Sequence, residues 1–362
     1  MKTIIIIVEN KNLLGGITYM NKWKFLAAAS LTFMLAACSS DEAVQDNTAG
    51  EGTEQTGSEQ ANSAFPMTVS SLSTSGESED GKSFTFEDVV LKEEPKRIIS
   101  LDYGFLDTLD ALGVEGIVGV AANGGQGNVP AHLKEKYAPS DEIADVGSLK
   151  AINLEVVAAA QPDVIFISGR QTAFYEELKE ITPNVIFIGS DNEDYFKGVF
   201  ESVDLAAKIF GKEEKAEELK AALQEKIDAV NEKAKGYENA LIAMYNDKKI
   251  SGFDNGPDSR FAYFYNDFGF VPATTDIKAS SHGSDFSYES ILSVDPEVLV
   301  IVDRTVSDLD VIKKDIENDI IKQTRAYKEG KIVYLDGVNW YFSANGVTTE
   351  MAKLDEILNE LK

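Results

Sequence analysis

The sequence predicts an α/β protein of two similar lobes joined by a long connecting helix. A motif is written twice, a long amphipathic stretch separates the copies, and short helical patterns alternate with Val- and Ile-rich runs around each of them. Glu155-Val-Val-Ala-Ala-Ala-Gln-Pro162-Asp163-Val-Ile-Phe-Ile-Ser-Gly-Arg170 returns, at one constant spacing, as Glu289-Ser-Ile-Leu-Ser-Val-Asp-Pro296-Glu297-Val-Leu-Val-Ile-Val-Asp-Arg304. In each copy a helical run is broken by proline, an apolar run reads as a buried strand, and arginine follows. Helix and strand must run antiparallel, so the helix start and the strand end share one edge of the lobe. Open α/β sheets bind ligands beyond the carboxyl ends of their strands. Arg170 and Arg304 are thereby placed for a common ligand.

The chain begins with a segment of a different kind. Basic Asn21-Lys22-Trp23-Lys24 precedes an apolar run from Phe25 to Ala37, which falls short of the roughly 20 residues that cross a bilayer as a helix. Residues 1–37 therefore read as a signal peptide. Ile4 to Val8 and a polar insert precede an otherwise complete signal beginning at Met20, which points to Met20 as the true start. Leu35-Ala36-Ala37-Cys38 resembles the bacterial lipobox, and that resemblance makes Cys38, the single cysteine, the lipid-modified first residue of the mature chain. A buried or free thiol is the alternative.

Residues 38–82 are dominated by Glu, Ser, Thr, Gly and Asn and read as a disordered acidic tether. The N-terminal α/β lobe is expected over 83–195. It opens on the alternating Phe84-Thr85-Phe86, continues into a strand around Ile98-Ile99-Ser100, a helix from Phe105 to Leu112 ended by Gly113, and a strand at Ile117 to Val120. Apolar residues at three- and four-residue spacings from Val199 to Ala234 predict the connecting helix over 196–236, interrupted at Gly211. The C-terminal lobe is expected over 237–362 and ends in an amphipathic helix from Met351 to Leu361.

A chain of 362 residues with 43% hydrophobic content has enough apolar residues for two cores. Its formal charge of -27 argues against a nucleic-acid partner, which calls for a basic surface. Any anionic ligand must be met by local positive charge.

In their order along the chain, the lipobox, tether, two lobes, connecting helix and repeated motif resemble the siderophore-binding lipoproteins of bacterial ABC importers. The resemblance covers about Phe84 to Lys362. It implies the class III substrate-binding-protein architecture, with Rossmann-like lobes, and is nearest to members that take ferric catecholates of the enterobactin and petrobactin type. The implied role is a non-enzymatic, monomeric component that needs no cofactor, captures an iron(III)-siderophore complex and hands it to a permease and its ATPase. The lipid anchor would hold it on the extracytoplasmic face of the membrane, and the long acidic tether leans toward a Gram-positive surface.

Site residues follow from the same resemblance. A ferric catecholate is anionic, and arginine both stays charged and stacks on aromatic rings. Arg170 and Arg304 come from the repeat, and Arg260, in Ser259-Arg260-Phe261, matches the third arginine of catecholate binders. Any one of them taken alone reads as a surface ion-pair partner. Asp303 before Arg304, where the family has glycine, could hold or neutralise that arginine. His282 and Tyr341 match the His and Tyr that complete the Fe(III) shell of tetradentate complexes; a hydrogen-bonding loop histidine and a structural aromatic are the alternatives. Trp340 is the aromatic expected to stack on catechol, and Tyr103 with Gly104 falls where the family's first loop approaches ligand. Phe261, Tyr263 and Phe342 fit a core equally well. His132 reads as a surface residue at a helix start.

Glu155 and Glu289 match the glutamates that such proteins present, one per lobe, to arginine pockets on the permease. Asn153 and Ser287 precede them as helix caps, so a purely local role at the helix dipole is the alternative. A bare zinc or manganese site is disfavoured with two histidines in the chain. Haem or cobalamin binding on the same fold is the nearer rival. An extracytoplasmic hydrolase lacks a Gly-x-Ser-x-Gly elbow, and a lipid-anchored sensor leaves the paired glutamates without a use.

Overall fold

The computed structural model describes residues 64–78, 81–189 and 194–361. The expected signal peptide, the start at Met20, the lipidation site Cys38 and most of the tether lie outside the described residues. The described chain opens on two short antiparallel pairs. β1 (Met67–Val69) and β2 (Ser75–Glu77) are followed by β3 (Ser83–Thr85) and β4 (Val89–Leu91); β1 pairs with β4, and β2 with β3. The tether expected to reach residue 82 is therefore shorter, because Met67–Val69 and Ser75–Glu77 are strand-paired. Val69 and Leu91 bury the inner face of one pair, and Phe86 stacks on Phe187 at 4.2 Å and meets Tyr175 edge-on at 5.0 Å. A few alternating apolar residues suffice once a distant strand supplies the partner.

The first lobe is built on β5 (Ile98–Ser100), α1 (Tyr103–Ala111), β6 (Ile117–Val120), α2 (Ala131–Lys134), β7 (Ala144–Asp145), α3 (Leu154–Ala159), β8 (Val164–Ile167), α4 (Tyr175–Ile181) and β9 (Val185–Phe187). Its sheet runs β7-β6-β5-β8-β9 and is parallel throughout. Helices cover both faces, which is why Val-Ile-Phe-Ile of β8 is buried at every position. Strand order reverses between β5 and β8, so their carboxyl ends frame a crevice.

The connector is two helices, α5 (Tyr195–Phe210) and α6 (Glu213–Ala234), parted at Gly211 where the sequence places the interruption. Gly211 takes a left-handed φ of 61° between them, which closes α5 and re-aims the chain. The apolar stripe of α6, Leu223, Ile227, Val230 and Ala234, is buried as its spacing predicts.

The second lobe comprises β10 (Ala240–Asn246), β11 (Lys249–Gly252), α7 (Ala262–Asn266), β12 (Ser284–Asp285), α8 (Tyr288–Val294), β13 (Val298–Asp303), α9 (Leu309–Ile316), α10 (Arg325–Lys328), β14 (Ile332–Asp336) and α11 (Val347–Glu360). Its sheet runs β12-β11-β10-β13-β14, with β10, β13 and β14 parallel and β11 and β12 antiparallel additions. The duplication is thus confined to the half that carries the motif. α3–β8 and α8–β13 are its two copies.

α11, assigned by sequence to the second lobe, also lies against the first. Thr348 and Thr349 donate their N–H groups to the Asp107 carboxylate of α1 at 2.8 and 2.9 Å, and Val347 N–H donates to Thr108 Oγ1 at 3.3 Å. A Cβ on Gly104 would lie 2.2 Å from the Ala344 carbonyl oxygen, so this glycine lets the loop before α11 close on α1.

Candidate functional site

Both motif arginines stand where the sheets end. After β8, Ser168 and Gln171 form a capping box, and Gln171 Nε2 donates to the Leu149 carbonyl at 2.8 Å, which fixes the turn carrying Arg170. After β13, Asp303 Oδ1 accepts from the Thr305 N–H and hydroxyl at 2.9 and 2.6 Å, and Oδ2 accepts from Ser307 N–H at 2.8 Å. The carboxylate beside Arg304 is therefore taken up by the following turn.

Arg260 lies between two fully buried residues, Ser259 and Phe261, and its Nε donates to the Ser281 carbonyl at 3.0 Å. The three arginines meet at Tyr341, within a five-residue π turn after β14. Arg260 and Arg304 hold their guanidiniums 4.6 and 4.7 Å from the centre of its ring, and Arg170 Nη2 donates to its carbonyl at 3.3 Å. A ring between two guanidiniums is a cation–π arrangement in which arginine's planar fork is held still.

Arg170, Arg260 and Tyr341 border a cleft of about 620 Å³ lined from both lobes, and Arg304 reaches it through its contact with the Tyr341 ring. Asp102, Lys150 and Arg170 contribute from the first lobe; Arg260, His282 and Tyr341 contribute from the second. The Asp102 carboxylate is held in place, capping α1 at Phe105 N–H (3.0 Å) and accepting from the Ser168 hydroxyl (2.8 Å). Burial lowers the pKa of Arg260, and Arg170 pushes it the same way while the Tyr341 ring opposes them. His282 is lowered by burial and then by Arg260 and Arg304, so its imidazole is kept neutral more readily than a free one. The arrangement suits an anion with flat, electron-rich surfaces.

Two expected ligand contacts are corrected by burial. Trp340 is fully buried and donates its indole N–H to Glu356 Oε2 at 2.6 Å, so it faces the core while its neighbours Tyr341 and Phe342 line the cleft. Tyr103 is 3% exposed and donates to the Ala121 carbonyl at 2.6 Å; burial pushes its phenol up to about 12 against the pull of Arg170. It supports the crevice from beneath. Phe261 and Tyr263 are core residues.

Residues that sequence reasoning passed over also reach the cleft: Glu77 and Ser78 from the hairpin of β2 and β3, Lys150 and Asn345. Phe342, which the sequence left open between core and ligand, lines it as well. The alternation of Phe84 and Phe86 marks β3 as an edge strand or hairpin arm, but nothing in the sequence marks its partner Ser75–Glu77.

Glu155 and Glu289 are exposed in the first turns of α3 and α8. Asn153 and Ser287 cap those helices by accepting from Val156 and Ser290 N–H, as their spacing predicts.

Comparison with known proteins shows the family and the fold. The profile of the periplasmic binding protein family matches residues 98–338. The petrobactin-binding protein YclQ of Bacillus subtilis is 36% identical over 75% of this chain and 84% of its own. Its solved structure superimposes with a TM-score of 0.69, covering 80% of this chain and 98% of that one at 34% identity. The ferric-anguibactin-binding protein FatB of Vibrio anguillarum is 31% identical over 74% of this chain and 83% of its own. The catecholate-siderophore binding protein VctP of Vibrio cholerae gives a TM-score of 0.66 at 28% identity, covering 80% of this chain and 99% of that one.

Proposed function

The chain belongs to the periplasmic binding protein family, and within it we propose that it captures a petrobactin-like ferric catecholate between its lobes for an ABC importer. The observation that carries this reading is the meeting of Arg170, Arg260 and Arg304 on Tyr341 at the edge of a cleft lined from both lobes. Positive charge gathered in a chain of net charge -27 suits an anionic cargo, and planar guanidiniums suit catechol rings. His282 and Tyr341 complete the iron shell when the siderophore supplies four donors. The imidazole's lowered pKa favours the neutral form that coordinates. The mature protein starts at Cys38, is lipid-anchored and monomeric, and works on the outer face of a Gram-positive membrane with a permease and its ATPase.

Fluorescence quenching against ferric petrobactin, a ferric tris-catecholate, a ferric hydroxamate, haem and cobalamin tests the reading. Binding of the catecholates with Kd on the order of nanomolar, about -12 kcal/mol, is expected. Preference for haem or cobalamin would overturn it. His282→Ala and Tyr341→Phe should weaken tetradentate complexes far more than hexadentate ones; equal losses would remove both residues from the iron shell.

The exposed glutamates serve the other side of the reaction. Glu155 and Glu289 dock the two lobes on cationic pockets of the permease. Exchange of both for Gln should leave siderophore affinity unchanged and abolish cellular uptake. A loss of affinity in the purified double variant would refute the docking role.

A further inference from the structure

Asn345 lies in the loop between the π turn and α11 and lines the cleft, and its side-chain oxygen finds no hydrogen-bond partner among the described residues. Its backbone is left-handed, with φ 76°, a region that asparagine enters more readily than other branched or long residues but still against a penalty. Its Oδ1 is buried without a donor. A strained residue with an orphaned acceptor persists only where the surroundings over-determine it.

Those surroundings are a buried polar cluster. Asn345 N–H is shared between Glu350 Oε1 at 3.0 Å and the Tyr195 hydroxyl at 3.1 Å, and that hydroxyl itself donates to Glu350 Oε1 at 2.6 Å. Lys353 donates to both Glu350 oxygens, at 2.9 and 2.7 Å, and to the Tyr263 hydroxyl at 3.0 Å. Its ammonium stands 4.7 Å from the Trp340 ring centre and 4.9 Å from that of Tyr263. Glu350 and Lys353 are both 0% exposed. A buried ion pair is often no better for stability than apolar residues of its size, and its attested use is to specify one arrangement. Here the arrangement specified is the conformation of Asn345.

We propose that Asn345 is a specificity-determining contact whose carboxamide takes an N–H or O–H donor on the ligand's scaffold, outside its iron-binding groups, and that Glu350 and Lys353 position it. Rotation about the Cβ–Cγ bond exchanges the two ends of the carboxamide, so that the oxygen meets a scaffold donor in the cleft and the amine takes the place the oxygen leaves. The proposal rests on the cleft taking a ferric siderophore.

Titration of the chain with ferric petrobactin tests it. Asn345→Gly removes the amide and keeps the left-handed backbone without strain, so the fold is not the variable. It should bind between about three- and tenfold more weakly than wild type, with a melting temperature equal or higher. Lys353→Met combined with Glu350→Gln removes both charges together and leaves an acceptor for Asn345 N–H. That double variant should lose affinity to a similar degree, yet less than about twofold when Asn345 is already glycine. Wild-type affinity in Asn345→Gly would overturn the contact, and losses that simply add would overturn the positioning role. If wild type binds no ferric siderophore at all, the reading of the cleft falls and this proposal with it, a result distinct from either.

Discussion

Arg260→Ala should weaken binding of a ferric catecholate by about a hundredfold, the loss expected when a charged group that the bound ligand covers is truncated. Arg260 makes three connections that the substitution removes together. Its guanidinium faces the Tyr341 ring, its Nε holds the Ser281 carbonyl beside His282, and its charge adds to that of Arg170 in the cleft. Arg260→Lys should recover only part of the loss, because an ammonium restores the charge without the planar fork. Arg304→Ala carries a second comparison. Asp303 is held by Thr305 and Ser307 in the following turn and makes no ion pair with Arg304 among the described residues, so the loss in Arg304→Ala should match that of Arg170→Ala. The measurement is a set of binding isotherms at low and high salt. Wild-type affinity in Arg260→Ala would remove the arginine cluster from ligand binding altogether.

Much of this site was legible because its signals were local and repeated. Caps Asn153 and Ser287, prolines 162 and 296 and the buried runs of β8 and β13 each obey a short-range rule, and two copies let one support the other. The edge that carries Arg170 and Arg304 followed from direction alone. What stayed hidden depends on distant partners. β1 needs β4 and β2 needs β3, so a polar composition averaged over 38–82 masked them. Trp340, Tyr341 and Phe342 are consecutive, and no periodicity says which of three aromatics in a π turn faces the core. The cluster of Glu350, Lys353, Tyr195 and Tyr263 draws on three helices, and a lysine in an amphipathic helix ordinarily reads as solvated. His132 was read as a surface residue; its ring is half-exposed, but its Nε2 lies 2.6 Å from the fully buried Asp107.

That last pair supports the second large effect: Asp107→Ala should lower stability by about 3 kcal/mol, through a lost helix cap and buried donors left without an acceptor. The carboxylate sits on α1 and serves the start of α11, accepting from Thr348 and Thr349 through Oδ2 while Oδ1 pairs with His132. One side chain thus joins the first lobe to the terminal helix and to α2. The His132 bond gives the effect a pH signature. Its hydrogen bond to Asp107 raises the imidazole pKa above 6.5 against the opposing effect of burial, and Asp110, itself paired with Lys136, adds to the rise. A group whose folded pKa is raised contributes its stability in full below the unfolded value and loses it as pH climbs through the folded one. Asp107→Asn keeps an oxygen for the α11 N–H groups and lacks the charge that favours imidazolium. The stability gap between wild type and Asp107→Asn, from urea unfolding, should therefore be widest below pH 6.5 and narrow as pH rises through the raised value. A gap independent of pH across that window would mean that the imidazolium contributes nothing to the junction, leaving Asp107 as a cap alone.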